Sequence, residues 1–366
     1  MKSQNNDVQR GAVLDLLRFF AALAVLCFHW FGQINTHEYI YGISPHLSQN
    51  LFVRISAYGQ MGVDLFFILS GAVIAKSAIG KSAGKFLFLR VRRVYPAYLF
   101  ALFGTFFITR FYPGAVGHSK TGDLPGNILM LANVVHVPWV DGVYWTLESE
   151  WKFYLGIASL LFIVNRKFPL EKKHLNYFAY CWLLVTSILL ASPSNGILEY
   201  VFMPKIAPLF IAGILLATGT SKSDWYIKMI PYSICMVESA TWRAENEATL
   251  LDATAHRTYP YIAFLVIIGI YLLMVIVFSN RYLMNRKSAF VTRLGLLSYP
   301  IYLTHGTPGV SLLHLFANKG YSNLVGYSVT GLLVMAVSIF ITFVVEPRAR
   351  NVLNRIAKGV TVSATS

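Results

Sequence analysis

Two ionisable residues in the first long apolar stretch, Arg18 and His29, have types and spacing suited to chemistry inside a membrane. They are 11 positions apart, which places both on one face of a helix, about 16.5 Å apart along its axis. Asp15 precedes Arg18 by one turn and can pair with it. A charge at the centre of a spanning helix costs about 2.5–3.5 kcal/mol, so it is retained where it pairs or acts. We expect His29 to be a general base, although a hydrogen bond to a neighbouring helix is the alternative.

Two carboxylates in other apolar segments, Asp64 and Glu150, are candidates to orient His29. Asp64 lies near the start of segment 61–79, at about the depth of His29. A carboxylate beside an imidazole fixes the tautomer of the ring and raises its basicity. Helix capping at the interface is the alternative for Asp64. Glu150 stands close to two further charged residues, and packing alone does not explain such a cluster in an apolar segment.

Polar and aromatic residues of two later segments are candidates to bind substrate or to stabilise an oxyanion. Hydroxyl and ring N–H groups aimed at a developing negative charge lower a reaction barrier. In segment 294–316, Pro300 is expected to break the helix and to leave backbone groups that only protein or a cavity can satisfy. For His305 a hydrogen bond between helices is the alternative. The candidates are Trp145, Tyr154, Ser298, Tyr302 and His305.

Three arginines, Arg90, Arg92 and Arg93, stand just before the apolar segment 94–111. A guanidinium presents a planar fork of donors that matches a phosphate group. The cluster therefore predicts a phosphate site, and anchoring to lipid head groups is the alternative. Glu346, at the end of the last apolar segment, can pair with an arginine at the inner face.

The elements that must hold these residues are predicted from composition. The chain is 56% hydrophobic and 13% charged, whereas a soluble domain of this size has about 25% charged residues. Apolar runs of about 20 residues recur, as bilayer crossing requires. We therefore predict an all-α, polytopic transmembrane helical bundle that forms a single domain over residues 1–366, with a tail at 347–366. The ten predicted spans are 13–35, 61–79, 94–111, 143–164, 176–192, 203–219, 225–238, 259–279, 294–316 and 325–346.

Charge distribution predicts the orientation of these spans. Alternate connecting segments, beginning with residues 1–12, hold 20 lysines and arginines, and the opposite segments hold five. This bias places both termini in the cytoplasm and explains the net charge of +15 without nucleic acid. Span 225–238 is short and contains Lys228 and Pro231, but omitting it would turn the arginine-rich segment 281–293 outward. The first apolar stretch does not have the pattern of a cleavable signal peptide.

Other chemistries find no support in the sequence. Cys27, Cys181 and Cys235 lie in apolar spans at no metal-ligand spacing, so they are expected to be small packed residues. Neither a phosphate-binding glycine loop nor a zinc motif of the HExxH type occurs. We therefore expect no metal site and no nucleic-acid partner.

Taken in order, these motifs resemble the membrane acyltransferase-3 family from Leu14 to Arg348. The family pattern differs at Leu89, where arginine is common, at Thr146, where serine is usual, and at 151–152, where Glu-Gln is typical. The matching positions are Arg18 and His29; Gly62, Asp64, Phe66, Phe67, Ser70 and Gly71; Arg90, Arg93, Pro96 and Tyr98; Trp145, Leu147, Glu150, Phe153, Tyr154 and Leu155; and Ser298, Tyr299, Tyr302 and His305.

The resemblance implies a stand-alone enzyme similar to bacterial polysaccharide O-acetyltransferases of the inner membrane. Such an enzyme moves an acyl group, expected to be acetyl, from acetyl-CoA or another acyl-CoA to a hydroxyl of a sugar or surface glycan at the periplasmic side. Arg90, Arg92 and Arg93 would bind coenzyme A phosphates, Arg18 would line the path of the pantetheine arm, and His29 would be the base. The expected partners are a glycan or lipid-linked sugar acceptor and membrane lipids.

Alternatives remain within and outside this class. The acceptor can be peptidoglycan, a lipid or an antibiotic, and an acyl-histidine intermediate stays open. A membrane transporter or flippase would also explain charges inside spans, although we find no internal repeat. The oligomeric state is open. The segments 36–60, 112–142 and 239–258, interpreted as outer loops, are expected to select the acceptor.

Overall fold

The computed structural model describes residues 11–32, 51–192, 196–219, 222–254 and 259–363. Within these ranges the regular structure is helical and contains no strand, which confirms the all-α class. The α-helices in chain order are α1 Ala12–Cys27, α2 Leu51–Ser56, α3 Gly62–Ala78, α4 Ala83–Phe111, α5 Leu124–Ile128, α6 Trp145–Val164, α7 Lys172–Ala191, α8 Gly196–Phe202, α9 Ala207–Thr218, α10 Lys222–Thr254, α11 Pro260–Ser279, α12 Arg281–Asn285, α13 Ala289–Thr304, α14 Thr307–Asn318, α15 Asn323–Phe340 and α16 Glu346–Ser363.

Seven helical segments of the described chain are long and apolar enough to cross a membrane. They are Ala12–Gly32, Leu51–Ala78, Ala83–Phe111, Lys172–Ala191, Gly196–Thr218, Pro260–Ser279 and Asn323–Ala357. The predicted spans 143–164, 225–238 and 294–316 are not among them. The last of these is divided between α13 and α14, of 16 and 12 residues, each shorter than the roughly 20 residues that a crossing needs. The number of ten spans and the orientation of the termini stay predictions.

Three local expectations were wrong. Pro300 lies inside α13, and the break comes later, at residues 305–306. The segment 239–258 is not a loop where it is described, because α10 continues to Thr254, and 255–258 lie outside the described residues. The arginines of 90–93 are part of α4 instead of a connecting segment. Of the proposed loop 36–60, residues 36–50 are also outside the described ranges.

Two helices continue into π-helical turns. α1 is followed by the π turn Phe28–Gly32, and α15 by the π turn Ile341–Val345. Shorter 3₁₀ turns cover Ala57–Met61, Thr121–Asp123 and Gly142–Tyr144. π-helical turns are rare and occur often at functional sites. One of these two turns contains His29, and the other ends directly before Glu346.

The chain divides into two compact units. Unit 1 comprises Met1–Ala21, Gln60–Phe86 and Lys152–Gly295, and unit 2 comprises Ala22–Gly59, Leu87–Trp151 and Leu296–Ser366. The expectation of a single domain stays a prediction.

In unit 1, α3 and α9 pack backbone against backbone. A Cβ atom at Gly71 would lie 2.2 Å from the carbonyl oxygen of Phe210, and one at Gly213 would lie 2.1 Å from that of Ile68. Only glycine permits this approach, which is typical of small residues between membrane helices. Aromatic rings of Phe153, Trp182 and Phe210 stack beside the contact, with the first and last 4.5 Å apart.

In unit 2, an apolar cluster joins the π turn after α1 to α14 and α15. Trp30 packs there with Val310, Leu313 and Val334, and all four are buried. Tyr327 donates a hydrogen bond to the carbonyl oxygen of Trp30 at 3.1 Å. These contacts hold the π turn, and therefore the backbone of the neighbouring His29, against α14 and α15.

Candidate active site

Unit 2 brings two of the predicted residues, His29 and His305, into contact. Their ring centroids lie 5.1 Å apart and the planes are inclined at 50°. His29 is half-buried on the π turn, whereas His305 is fully buried directly after α13. The two residues come from opposite ends of the sequence, and the folded chain makes them neighbours.

Trp30 holds this arrangement through a hydrogen bond to the backbone. Its indole Nε1 donates to the carbonyl oxygen of His305 at 2.8 Å, inside the apolar cluster of unit 2. A carbonyl at the end of a helix has no partner within that helix, so another group must satisfy it. The bond ties the π turn directly to the end of α13.

The tautomer of His305 follows from its contacts. Its Nδ1 lies 3.1 Å from the carbonyl oxygen of Ile301, an atom that can only accept a hydrogen bond, so Nδ1 holds a proton. In the neutral ring, Nε2 then has the lone pair. This nitrogen is buried and has no hydrogen-bond partner among the described residues. Neutral His305 can therefore accept a proton or a hydrogen bond but cannot donate to an oxyanion.

Asp141 holds the first turn of α14, directly after the break. Its carboxylate accepts hydrogen bonds from the backbone N–H of Thr307 at 3.0 Å and of Val143 at 3.3 Å. A Cβ at Gly306 would lie 2.6 Å from Oδ1 of Asp141, so glycine is needed there. The carboxylate is buried, and burial raises its pKa from 3.8 to about 6. Sequence reasoning missed Asp141, because nothing near it indicates that it caps a helix 166 positions later.

Tyr302, one turn before His305, belongs to a hydroxyl network. Its hydroxyl lies 2.8 Å from Thr146 Oγ1 and donates to the carbonyl oxygen of Val143 at 3.1 Å. The hydroxyl of Thr146 donates to the same carbonyl at 2.9 Å. The single phenolic proton is used within this network, so a role in oxyanion binding requires one of these bonds to break. Thr146, one of the positions that depart from the family pattern, therefore contributes to this network.

The predicted arginine cluster forms hydrogen bonds with α16, the last helix of unit 2. Arg93 Nη1 donates to Glu346 Oε2 at 2.8 Å, so Glu346 pairs with an arginine, as the sequence suggested. Arg350 donates to the same oxygen at 3.3 Å. Arg92 Nη1 donates to Asn354 Oδ1 at 2.8 Å. Arg350 was not predicted as a site residue, because only its pairing with Glu346 brings it to the cluster.

One helix connects the arginine cluster to the histidine pair. The hydroxyl of Tyr299 on α13 donates to the carbonyl oxygen of Val94, the residue that follows Arg93 on α4. His305 lies six positions after Tyr299, which corresponds to about 9 Å along the helix axis. The two groups of predicted residues therefore belong to one continuous part of unit 2.

The other predicted residues of unit 2 are placed as follows. Ser298 is buried on α13, and Trp145 is exposed at the first position of α6. Glu150 is half-buried one turn further along α6, and Arg90 is half-buried on α4. The nearby carboxylate of Glu148 accepts hydrogen bonds from the backbone N–H and the side-chain amide of Asn133.

Asp64 lies in unit 1, where it forms a buried ion pair. Arg243 Nη2 donates to both of its carboxylate oxygens, at 2.9 and 2.7 Å. The side chains are 3% exposed for Asp64 and 9% for Arg243. Gln60 donates to Glu247 one helical turn further along α10. Arg243 was missed as a partner of Asp64 because the segment around it was interpreted as an outer loop.

Two further predicted residues belong to unit 1. Arg18 is half-buried on α1. Tyr154 is buried on α6, with its ring edge-on to Phe86 at 6.5 Å between centroids. The predicted roles of both residues stay predictions.

Comparison with known proteins agrees with this picture. A family model described as an acyltransferase domain matches residues 12–346. The chain is 25% identical over 322 residues to the acyltransferase MdmB of Streptomyces mycarofaciens, and the alignment covers 81% of this chain and 79% of that protein. No solved structure gives a significant match.

Proposed function

We propose, since the chain belongs to the acyltransferase-3 family, that this multi-pass membrane acyltransferase moves an acetyl group from acetyl-CoA to a hydroxyl of a sugar or surface glycan. The donor would bind at the cytoplasmic side of the bacterial inner membrane, and the acceptor would enter from the periplasmic side. The observation that carries the proposal is the contact between His29 and the buried His305 in unit 2.

His29 is the general base of this reaction. It removes the proton of the acceptor hydroxyl, and the oxygen attacks the carbonyl carbon of the thioester. The carbon–sulfur bond then breaks, and the thiolate of coenzyme A takes the proton from the imidazolium. A base in position contributes about 10²–10⁴-fold to the rate.

His305 assists as an acceptor. Because its Nδ1 holds a proton against Ile301, its Nε2 offers a lone pair close to the ring of His29. This lone pair stabilises the imidazolium that forms when His29 takes the proton. Asp64 and Glu150 stay candidates for orienting His29, with the ion pair to Arg243 as the competing role of Asp64.

The arginines of α4 suit the phosphate groups of the donor. Arg90, Arg92 and Arg93 occupy one turn of the helix. The hydrogen bond from Tyr299 to the carbonyl oxygen of Val94 joins this turn to α13, the helix that His305 follows. Phosphate binds guanidinium groups through charge-assisted hydrogen bonds. Arg18, on the helix that leads to His29, would contact the pantetheine arm.

The test uses the purified full chain in lipid nanodiscs with radiolabelled acetyl-CoA and an oligosaccharide acceptor. Release of coenzyme A that depends on the acceptor is the expected result. His29→Ala and Arg18→Ala should each abolish transfer, whereas His314→Ala, which removes an imidazole from α14 outside the pair, should retain it. Transfer by His29→Ala at the wild-type rate would refute the role of His29.

The same experiment separates the acceptor classes and the two routes. Peptidoglycan fragments, a lipid and an antibiotic that has a free hydroxyl replace the oligosaccharide in parallel reactions. Label that remains on the denatured protein would support an acyl-histidine intermediate instead of direct transfer. If coenzyme A is not released and no acceptor becomes labelled, the proposed activity is refuted.

A further inference from the structure

A buried carboxylate organises two arginines at the start of α16. Glu346 follows the π turn Ile341–Val345, and its side chain is only 2% exposed. Its Oε2 accepts hydrogen bonds from Arg93 of α4 at 2.8 Å and from Arg350, one turn further on α16, at 3.3 Å. One carboxylate oxygen thus fixes guanidinium groups from two helices side by side.

The cluster retains positive charge and donors at the surface. Arg92, Arg93 and Arg350 contribute three positive charges and Glu346 one negative charge, which leaves +2. The side chains of Arg93 and Arg350 are 25% and 35% exposed, whereas that of Glu346 is 2% exposed. A guanidinium has five N–H groups, and the bonds to Glu346 use only some of them. Two arginines held in this way are preorganised for a phosphate group.

The second oxygen of Glu346 is free to accept a hydrogen bond from a bound ligand. Oε1 is buried and accepts no hydrogen bond from the described part of the chain. A buried acceptor without a partner is costly and points to a donor from a ligand. The amide N–H groups of the pantetheine arm of coenzyme A can supply such a donor, and so can the hydroxyls of a phosphatidylglycerol head group.

We propose that Arg350, together with Arg93, binds a phosphate group of coenzyme A, and that Glu346 is the positioning residue for both arginines. The inference rests on the proposed function, because it assumes a coenzyme A donor. Phosphate of an anionic lipid head group has the same chemistry, so the experiment must separate the two sources.

Binding of coenzyme A to the full chain is measured by calorimetry in nanodiscs of zwitterionic phosphatidylcholine, which has no net charge. Arg350→Gln should raise Kd by about tenfold, the loss expected for one charge-assisted hydrogen bond. Arg355→Gln is the matched control, because it removes an equal charge from the same helix at an exposed position. Its Kd should stay within about twofold of the wild type.

Glu346→Gln separates positioning from bulk charge. The variant makes the cluster more positive, so electrostatic attraction alone predicts tighter binding of coenzyme A. Loss of the ionic bonds that hold Arg93 and Arg350 predicts weaker binding, by about tenfold. Size-exclusion profiles and Tm values of all variants show whether each is folded. Arg350→Lys, which keeps the charge at the same position, serves as a second test and should restore binding only in part.

Each outcome decides the proposal. Equal binding by the wild type and folded Arg350→Gln would overturn the inference and leave the proposed function intact. An effect of Arg350→Gln that occurs only in discs with phosphatidylglycerol would assign the arginines to lipid phosphate and would also overturn it. If the wild type does not bind coenzyme A in either bilayer, the proposed function fails together with the inference.

Discussion

The buried pair of Asp64 and Arg243 permits a prediction of both stability and role. Arg243→Met removes the guanidinium and leaves the Asp64 carboxylate in a site where it is 3% exposed. Each carboxylate oxygen loses a hydrogen bond, one of 2.9 Å and one of 2.7 Å. Because the carboxylate is buried, bulk water cannot replace these bonds. Breaking a buried ion pair in this way costs about 3–5 kcal/mol of unfolding free energy.

The assay is a double-mutant cycle on the purified protein in detergent micelles, with reversible chemical denaturation. The cycle comprises Asp64→Asn and Arg243→Gln, alone and combined, and the double variant replaces the ions by neutral groups that can still hydrogen-bond. The double variant should therefore be at least about 2 kcal/mol more stable than Arg243→Met. Arg281→Met, at an exposed position of unit 1, is the control and should change stability by less than about 0.5 kcal/mol.

Two results would refute the reasoning. A loss below about 1 kcal/mol for Arg243→Met would mean that the pair is hydrated like a surface ion pair. A loss in the double variant that equals the sum of the losses in Asp64→Asn and Arg243→Gln would mean that the two side chains are not coupled. Acyl transfer by the double variant then decides the role of Asp64. Stability without activity would support the catalytic role predicted from the sequence, and recovery of both would make the residue structural.

Two further predictions concern the break between α13 and α14. Because burial raises the pKa of Asp141 from 3.8 to about 6, the folded state holds this proton more tightly, and stability falls as the pH rises from about 4 to about 6. In Asp141→Asn, the loss of unfolding free energy between pH 4 and pH 7 should be about 3 kcal/mol smaller than in the wild type. An equal loss in the two proteins would contradict this prediction. Gly306→Ala should destabilise by about 1–3 kcal/mol and reduce transfer, because its Cβ would meet the Asp141 carboxylate at 2.6 Å. Gly104→Ala, with open space around the added atom, should be neutral or stabilising in the same denaturation assay, and equal losses in both variants would refute the steric explanation.

The helices of this protein could be predicted well from local signals. Long apolar runs require backbone hydrogen bonding within each segment, so the all-α class follows from composition alone. The limits of the helices were less accurate, because polar residues were taken as loop signals. α4 includes Arg90 and its neighbours, and α10 continues past Arg243. In both helices, ion pairs or hydrogen bonds with distant residues satisfy the polar groups, and a linear sequence does not reveal those partners.

The candidate site was predictable in its residue types and less so in its geometry. His29, His305 and Tyr302 were all recognised from motifs, and unit 2 places the two histidines in contact. The sequence did not reveal that His305 holds its proton on Nδ1, since this depends on the carbonyl of Ile301 in the last turn of α13. Pro300 was taken as the break, although the helix accommodates it and ends at Thr304.

The sequence by itself determined the helical class, the family and the residues able to do chemistry, because these depend on composition and on short motifs. Only the tertiary structure decided which residues meet: the carboxylate of Asp141 at α14, and Glu346 between Arg93 and Arg350. The contacts with Asp141 and Arg93 join positions more than 150 residues apart. These contacts depend on where a helix breaks or passes into a π turn. Packing and hydrogen bonds between distant residues determine those positions, and a local segment of sequence does not encode them.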